Sequence, residues 1–268
     1  MGRVVNTLGT PIDGKGEIKA ENVFMSYSDG PDVLKGLDFS IKGMEKVGIA
    51  GRTGSGKSSL MVALFRIENF RGSITIDGID TKTIPLSTLR SKIGIIPQDP
   101  VMFAATVRFN LDPLNIHTDE EIWAVLEKVD MKKVIQSLPD LLEDKVSEGG
   151  DNFSAGQRQL ICIARALLRN PRILVLDEAT ASIDNETDTM IQTMIRSSFT
   201  NSTLLTIAHR LHTIIDADKI MVMDNGKVAE MDAPSNLLKI DNGIFKGLWH
   251  QSQSSHGNDD ENFVGIVC

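Results

Sequence analysis

At 268 residues, 41% hydrophobic and 24% charged, the chain has the make-up of an ordinary globular protein with room for one large domain or two small ones. A net charge of −8 argues against a non-specific nucleic-acid binder. Cys162 and Cys268 are too few for a disulfide framework or a metal-binding cysteine cluster. No apolar run is long enough to span a bilayer and the N-terminus lacks a signal-peptide pattern, so this chain is expected to be soluble and to sit in a reducing compartment.

In chain order, residues 1–16, "MGRVVNTLGTPIDGKG", read as a turn-dense leader. "EIKAENVFMSY" and "VLKGLDFSIK" then alternate like strands. "KVGIA" (Lys46–Ala50) is a short buried strand feeding a Gly-rich turn, and "SITIDG" is a hairpin strand closing on Asp–Gly. "KIGIIPQ" is another strand. Helical spacing of Ile, Leu and Val among Glu and Lys predicts a helix from Thr118 to Leu142. "RILVLDE", "TLLTIAH" and "KIMVMDNGKVAEM" are further strands, the last folding over Asn–Gly. Strands alternating with helices imply a mainly parallel α/β sheet, and the β-rich beginning implies a smaller antiparallel layer. Residues 17–250 form the domain, and 251–268 form a polar tail expected to be disordered.

"GRTGSGKSS" (Gly51–Ser59) fits G-x-x-x-x-G-K-[ST] directly after a strand. Glycines let backbone amides turn inward around phosphate oxygens, and the following helix points its positive end at them. Gly51, Arg52, Thr53, Gly54, Ser55, Gly56, Lys57, Ser58 and Ser59 are therefore the candidate phosphate cradle. Lys57 would reach the outer phosphates, and the Ser58 hydroxyl would ligate Mg²⁺. In "RILVLDEATASID" a buried strand ends in two carboxylates. Asp177 suits the Mg²⁺ shell, and Glu178 can orient or deprotonate an attacking water. Adjacent acids after a strand often only close a surface turn; the upstream loop reverses that preference.

"SEGGDNFSAGQRQ" poses a second anion site far from the first. Ser154 and Gln157 make an S-x-x-Q capping box, and the helix beyond buries Leu160, Ile161, Ala164 and Leu168. Gly156 in the first turn is costly for a helix and makes sense where a ligand must approach the backbone. On capping alone, an ordinary capped helix is the favoured explanation of the stretch.

"FSAGQRQ" resembles the signature motif of ATP-binding-cassette proteins, with Phe153 for the usual Leu and Ala155 for the first Gly. Gln98 in "IIPQDP" resembles the Q-loop glutamine, "ASID" (Ala181–Asp184) the D-loop, and His209 in "TIAHRL" the switch histidine. Tyr27, the one tyrosine, resembles the aromatic residue that stacks on adenine. The resemblance runs from about Glu17 to Trp249. Its phrasing is most similar to the second nucleotide-binding domain of the multidrug-resistance-associated C subfamily. Residues 1–16 instead resemble a short segment of the alpha subunit of the rotary ATP synthase, and that segment carries no catalytic group.

The resemblance implies a phosphate-loop NTPase cassette with an N-terminal antiparallel subdomain and a helical signature subdomain. It implies an ATPase that uses ATP and Mg²⁺ and powers transport at the cytoplasmic face of a membrane. Tyr27 would stack the base, and Ser58, Gln98 and Asp177 would arrange Mg²⁺. Lys57, Glu178 and His209 would be catalytic. Family cassettes pair head to tail, so Ser154, Gly156 and Gln157 would contact ATP held by a partner cassette, expected to be the first nucleotide-binding domain of the same transporter. In the C subfamily that first cassette typically lacks the catalytic Glu and keeps the better-formed signature. Transmembrane domains complete the expected partners, and Gln98 with "SEGG" would lie where they dock. The alternative is a regulatory domain gating a channel or channel-associated receptor.

Overall fold

Apolar side chains at Ile18 and Ala20, and again at Val23 and Met25, favour a half-buried strand after Glu17, and the chain enters one there. The computed structural model describes residues 14–28, 30–177, 185–208 and 210–256. In chain order its elements are β1 (Ile18–Ser26), β2 (Asp32–Ile41), β3 (Lys46–Ala50), α1 (Lys57–Leu64), β4 (Phe70–Ile76), β5 (Ile79–Asp80), α2 (Leu86–Lys92), β6 (Ile93–Ile96), α3 (Val107–Leu111), α4 (Asp119–Lys128), α5 (Lys132–Gln136), α6 (Ala155–Arg169), β7 (Ile173–Asp177), α7 (Asn185–Ser198), β8 (Thr203–Ile207), β9 (Lys219–Asp224), β10 (Lys227–Asp232), α8 (Pro234–Leu237) and α9 (Ile244–His256). The chain divides into two units, Met1–Leu89 with Leu205–Cys268, and Arg90–Leu204.

In the first unit β2, β1, β4 and β5 pair antiparallel in that order. Ile18 and Ala20 are buried, then Val23 and Met25, so the phase slips by one residue at a bulge. Asn22 makes the slip with φ 50°, and its amide donates to Asp38 Oδ1 at 2.9 Å. Asp77 and Gly78, both at positive φ, close the β4–β5 hairpin as the Asp–Gly signal predicts. A second group of strands in this unit is parallel at its centre. β3 runs parallel to β9, with Val47 opposite Lys219 and Ala50 opposite Val222. β9 returns as β10 over Asn225–Gly226. The amide of Ala208, just after β8, donates to Ile49 O at 3.2 Å. Ala50, Leu211, Ile214, Ile220, Val222 and Phe245 belong to the core that packs around these strands.

In the second unit β6 and β7 are parallel, with Ile93 opposite Ile173 and Ile96 opposite Leu176. α6 is the hub. Ile161, Ile163 and Ala164 are fully buried, and it packs against β6, α3, α4 and α7. The sequence predicts one buried stripe on this helix. Neighbours on several sides extend burial to Gln159, Cys162, Ile163 and Ala166 as well.

The helix expected over Thr118–Leu142 is broken. α4 opens on a Thr118–Glu121 capping box and stops at Lys128. Asp130 takes φ 55°, and the Met131 amide reaches back to Leu126 O at 2.8 Å, which is a left-handed helix stop. α5 then restarts at Lys132 and is followed by a 3₁₀ turn at Leu141–Glu143. Periodicity continues across the break because Ile122, Leu126 and Ile135 all enter one core. At the C-terminus α9 continues to His256, into the polar stretch read as a tail. No helix among the described residues is long and apolar enough to cross a membrane.

Candidate nucleotide-binding site

The loop between β3 and α1 is built for close approach to its backbone. Gly51, Gly54 and Gly56 have φ of 150°, 79° and 105°. A Cβ on Gly51 would lie 2.4 Å from Met223 O and 2.6 Å from Ser55 Oγ, whereas at Gly54 it would meet nothing. Gly51 is thus demanded by packing as well as by conformation, and Gly54 by conformation alone. Gly56 is the N-cap of α1, so no side chain caps the helix, and no acidic residue lies in its first turn. The positive end of the helix therefore faces the loop without a neutralising group. The β9–β10 turn braces the loop from behind, with the Gly226 amide donating to Ser55 O at 3.0 Å.

Arg52, Thr53 and Gly54 are exposed at the crown, and Ser58 is exposed at the helix start. Ser55, Lys57 and Ser59 are buried. Lys57 curls back over the loop, its Nζ donating to Gly51 O at 2.7 Å and Arg52 O at 3.1 Å. Ser55 Oγ is buried without a hydrogen-bond partner. Tyr27 follows β1 and belongs to the same unit. The residue is 43% exposed, and its hydroxyl lies 3.1 Å from Ser59 Oγ.

The second unit carries a different group. Gln98 is exposed two positions beyond Ile96 of β6, and Asp177 is the last residue of β7. Because Ile96 pairs with Leu176 in a parallel ladder, both side chains stand at the carboxyl ends of neighbouring strands. Ligands of α/β sheets bind at that edge. The capping box at α6 is formed as the sequence predicts. Gln157 N donates to Ser154 Oγ at 3.2 Å and Ser154 N to Gln157 Oε1 at 2.9 Å. Ser154 is exposed and Gly156 half-exposed. Phe153, in place of the usual Leu, is buried in the core of this unit. Glu178, the stretch Ala181–Asp184 and His209 lie outside the described residues.

Two residues with structural weight here escape the motif reading. Gln159 is buried, and its Nε2 donates to Pro97 O at 3.3 Å, tying α6 to the segment that carries Gln98. Arg165 fastens the same helix to the chain beyond Gln98. It donates to Val101 O at 2.5 Å, to Asn110 Oδ1 at 2.7 Å and to the Asn110 carbonyl. Burial draws its guanidinium below the ordinary arginine range, and burial likewise pushes the neighbouring Cys162 thiol up. The available signal was a single cation on an otherwise apolar stretch of helix.

Comparison with known proteins agrees with this arrangement. Residues 34–181 match the family described as ABC transporter. The chain is 54% identical over 244 residues to ABC transporter C family member 12 of Dictyostelium discoideum, covering 90% of this chain and 18% of that protein. It is 55% identical over 238 residues to ATP-binding cassette sub-family C member 4 of Mus musculus, covering 88% and 18%. The chain thus spans under a fifth of the length of these curated relatives. Among solved structures, a bacterial Atm1-family ABC exporter with ATP bound matches with a TM-score of 0.82 and 34% identity, over 89% of this chain and 42% of that one. The expected fold class is met: a phosphate loop between β3 and α1, parallel central strands, an antiparallel N-terminal layer and a helical part built on α6. This chain belongs to the ABC transporter family, as an ATP-binding cassette domain of the C-subfamily, multidrug-resistance-associated type.

Proposed function

We propose that this cassette binds ATP with Mg²⁺ at Gly51–Ser59, hydrolyses it when paired with a second cassette, and so powers a membrane transporter from the cytoplasmic face. The observation that carries the proposal is the loop itself: three glycines at positive φ, an uncapped helix start and Lys57 folded over them. The buried, unpartnered Ser55 hydroxyl fits a polar guest in that cradle. Ser58, Gln98 and Asp177 can each present an oxygen, the ligand chemistry that Mg²⁺ prefers. Bound Mg²⁺·ATP would supply a polarised terminal phosphate and its leaving group.

The residues then divide the work. Backbone amides of the loop and the Lys57 ammonium neutralise phosphate charge. Tyr27 presents its exposed ring to the base. Glu178 orients a water, and His209 stabilises charge on the outermost phosphate. Catalysis of this kind is mainly positioning and electrostatics. Ser154, Gly156 and Gln157 serve a nucleotide on the partner, expected to be the first cassette of the same transporter. Transmembrane domains dock near Gln98 and Ser147–Gly150. The exporter relatives favour this pump over a channel-gating role. The test is hydrolysis with and without a separately produced first cassette. Slow turnover alone and a clear rise on mixing support the proposal, and an unchanged rate counts against it.

A further inference from the structure

Tyr27 and Ser59 are 32 positions apart in sequence, on different elements of one unit, yet their hydroxyl oxygens lie 3.1 Å apart. Ser59 is on the buried side of α1, two residues beyond Lys57, while nearly half of Tyr27 faces solvent. The aromatic ring is thus held at its tip by the helix that begins at the phosphate loop. We propose that Ser59 is a positioning residue for base recognition: its hydroxyl pins the Tyr27 phenol and fixes the ring in the orientation in which a purine stacks. The inference rests on the proposed assignment of Tyr27 as the base platform.

The physical argument concerns freedom. An exposed tyrosine after a strand end can swing about two side-chain bonds, and fixing it when a ligand binds costs affinity. A hydrogen bond at the far end of the ring removes most of that freedom in advance. Ser59 is a better anchor than a surface group because it is buried and its helix is fixed by the packing of Leu60, Ala63 and Leu64. The arrangement also couples the two ends of a nucleotide site. A displacement of the start of α1, where phosphates would bind, moves the anchor of the ring. A phenylalanine would stack equally well but would lack this link. The phenol is therefore used for its hydroxyl, and the ring is used for its face.

The test is a binding cycle on the full chain by calorimetry, with ATP and with inorganic tripolyphosphate, which has no base. Tyr27→Phe keeps the ring and removes the anchor. It is expected to lower ATP affinity about threefold to tenfold relative to tripolyphosphate. Ser59→Ala should lower the same ratio by the same factor, and Tyr27→Phe added to Ser59→Ala should lower it no further. Ser59→Thr, which keeps a hydroxyl, should restore most of it. Equal affinities for parent and Tyr27→Phe, or losses that simply add in the double variant, overturn the inference. Tyr27→Ala separates this from failure of the underlying assignment. If Tyr27→Ala weakens ATP while Tyr27→Phe and Ser59→Ala do not, the base platform stands and the anchor falls. If Tyr27→Ala also leaves ATP affinity unchanged, both fall.

Discussion

Lys57 folds back on the residue that opens its own loop, donating from Nζ to the carbonyl of Gly51 at 2.7 Å. A compact ammonium on a flexible stem can make this contact and still turn outward to a phosphate. A planar guanidinium with a fixed fork cannot make the same exchange. Lys57→Ala should therefore lower both ATP affinity and turnover, the latter by about a hundredfold or more. Lys57→Arg should not restore it. Calorimetry and steady-state hydrolysis on the two variants check this.

Gly51 and Gly54 make a controlled comparison. Both have positive φ, but only Gly51 has no room for a Cβ. Gly54→Ala should cost about 1 kcal/mol, the strain of a left-handed side chain. Gly51→Ala should cost roughly twice that or more, because Met223 O and the loop must also move. Denaturant midpoints measure the difference. Equal losses would mean that the loop yields freely at Gly51.

Arg165 holds three groups 55 to 64 positions away on the chain. Arg165→Lys keeps a charge but replaces three fixed guanidinium nitrogens with one shorter-reaching ammonium, so it should lose part of the set to Val101 O, Asn110 O and Asn110 Oδ1 and destabilise by about 2 kcal/mol. The contact also shields Cys162, whose thiol is raised by burial. Alkylation of Cys162, followed by peptide mapping, should be slow in the parent at mildly alkaline pH and faster in Arg165→Lys. An unaltered midpoint and unaltered labelling would remove Arg165 from its role as a strut.

These cases mark what a sequence can and cannot display. β3, the Asp77–Gly78 and Asn225–Gly226 turns and the Ser154–Gln157 cap are local, and each was legible because its cause lies within a few residues. Gly51–Ser59 and the helix at α6 were legible for the same reason. The break at Asp130 was not, because apolar spacing carries on through a left-handed stop when both helices feed one core. Arg165 and the Tyr27–Ser59 contact depend on partners from distant elements. The apolar residues around Arg165 signal its burial but not its partners, and nothing adjacent to Tyr27 or Ser59 distinguishes an anchor from a surface hydroxyl.

Ser154 gives a prediction about partnership. Its side chain caps α6 within this chain, so Ser154→Ala should cost about 1 kcal/mol of stability. If the nucleotide it contacts belongs to the partner's weaker site, turnover in a mixed pair with the first cassette should fall only slightly. In a pair of identical copies the same change should impair turnover strongly, since each copy lends its signature to the other. Hydrolysis rates of the two pairings distinguish these outcomes, and equal damage in both would contradict the assigned asymmetry.

The central claim is that this cassette hydrolyses ATP held at Gly51–Ser59 with Glu178 as the group acting on water. The direct measurement is ATP affinity and turnover of Glu178→Gln in the mixed pair, beside the parent. The account predicts that affinity is retained, that turnover falls by about a hundredfold or more, and that an ATP-bound pair accumulates, because only the transition state needs the carboxylate. Turnover near that of the parent would contradict it.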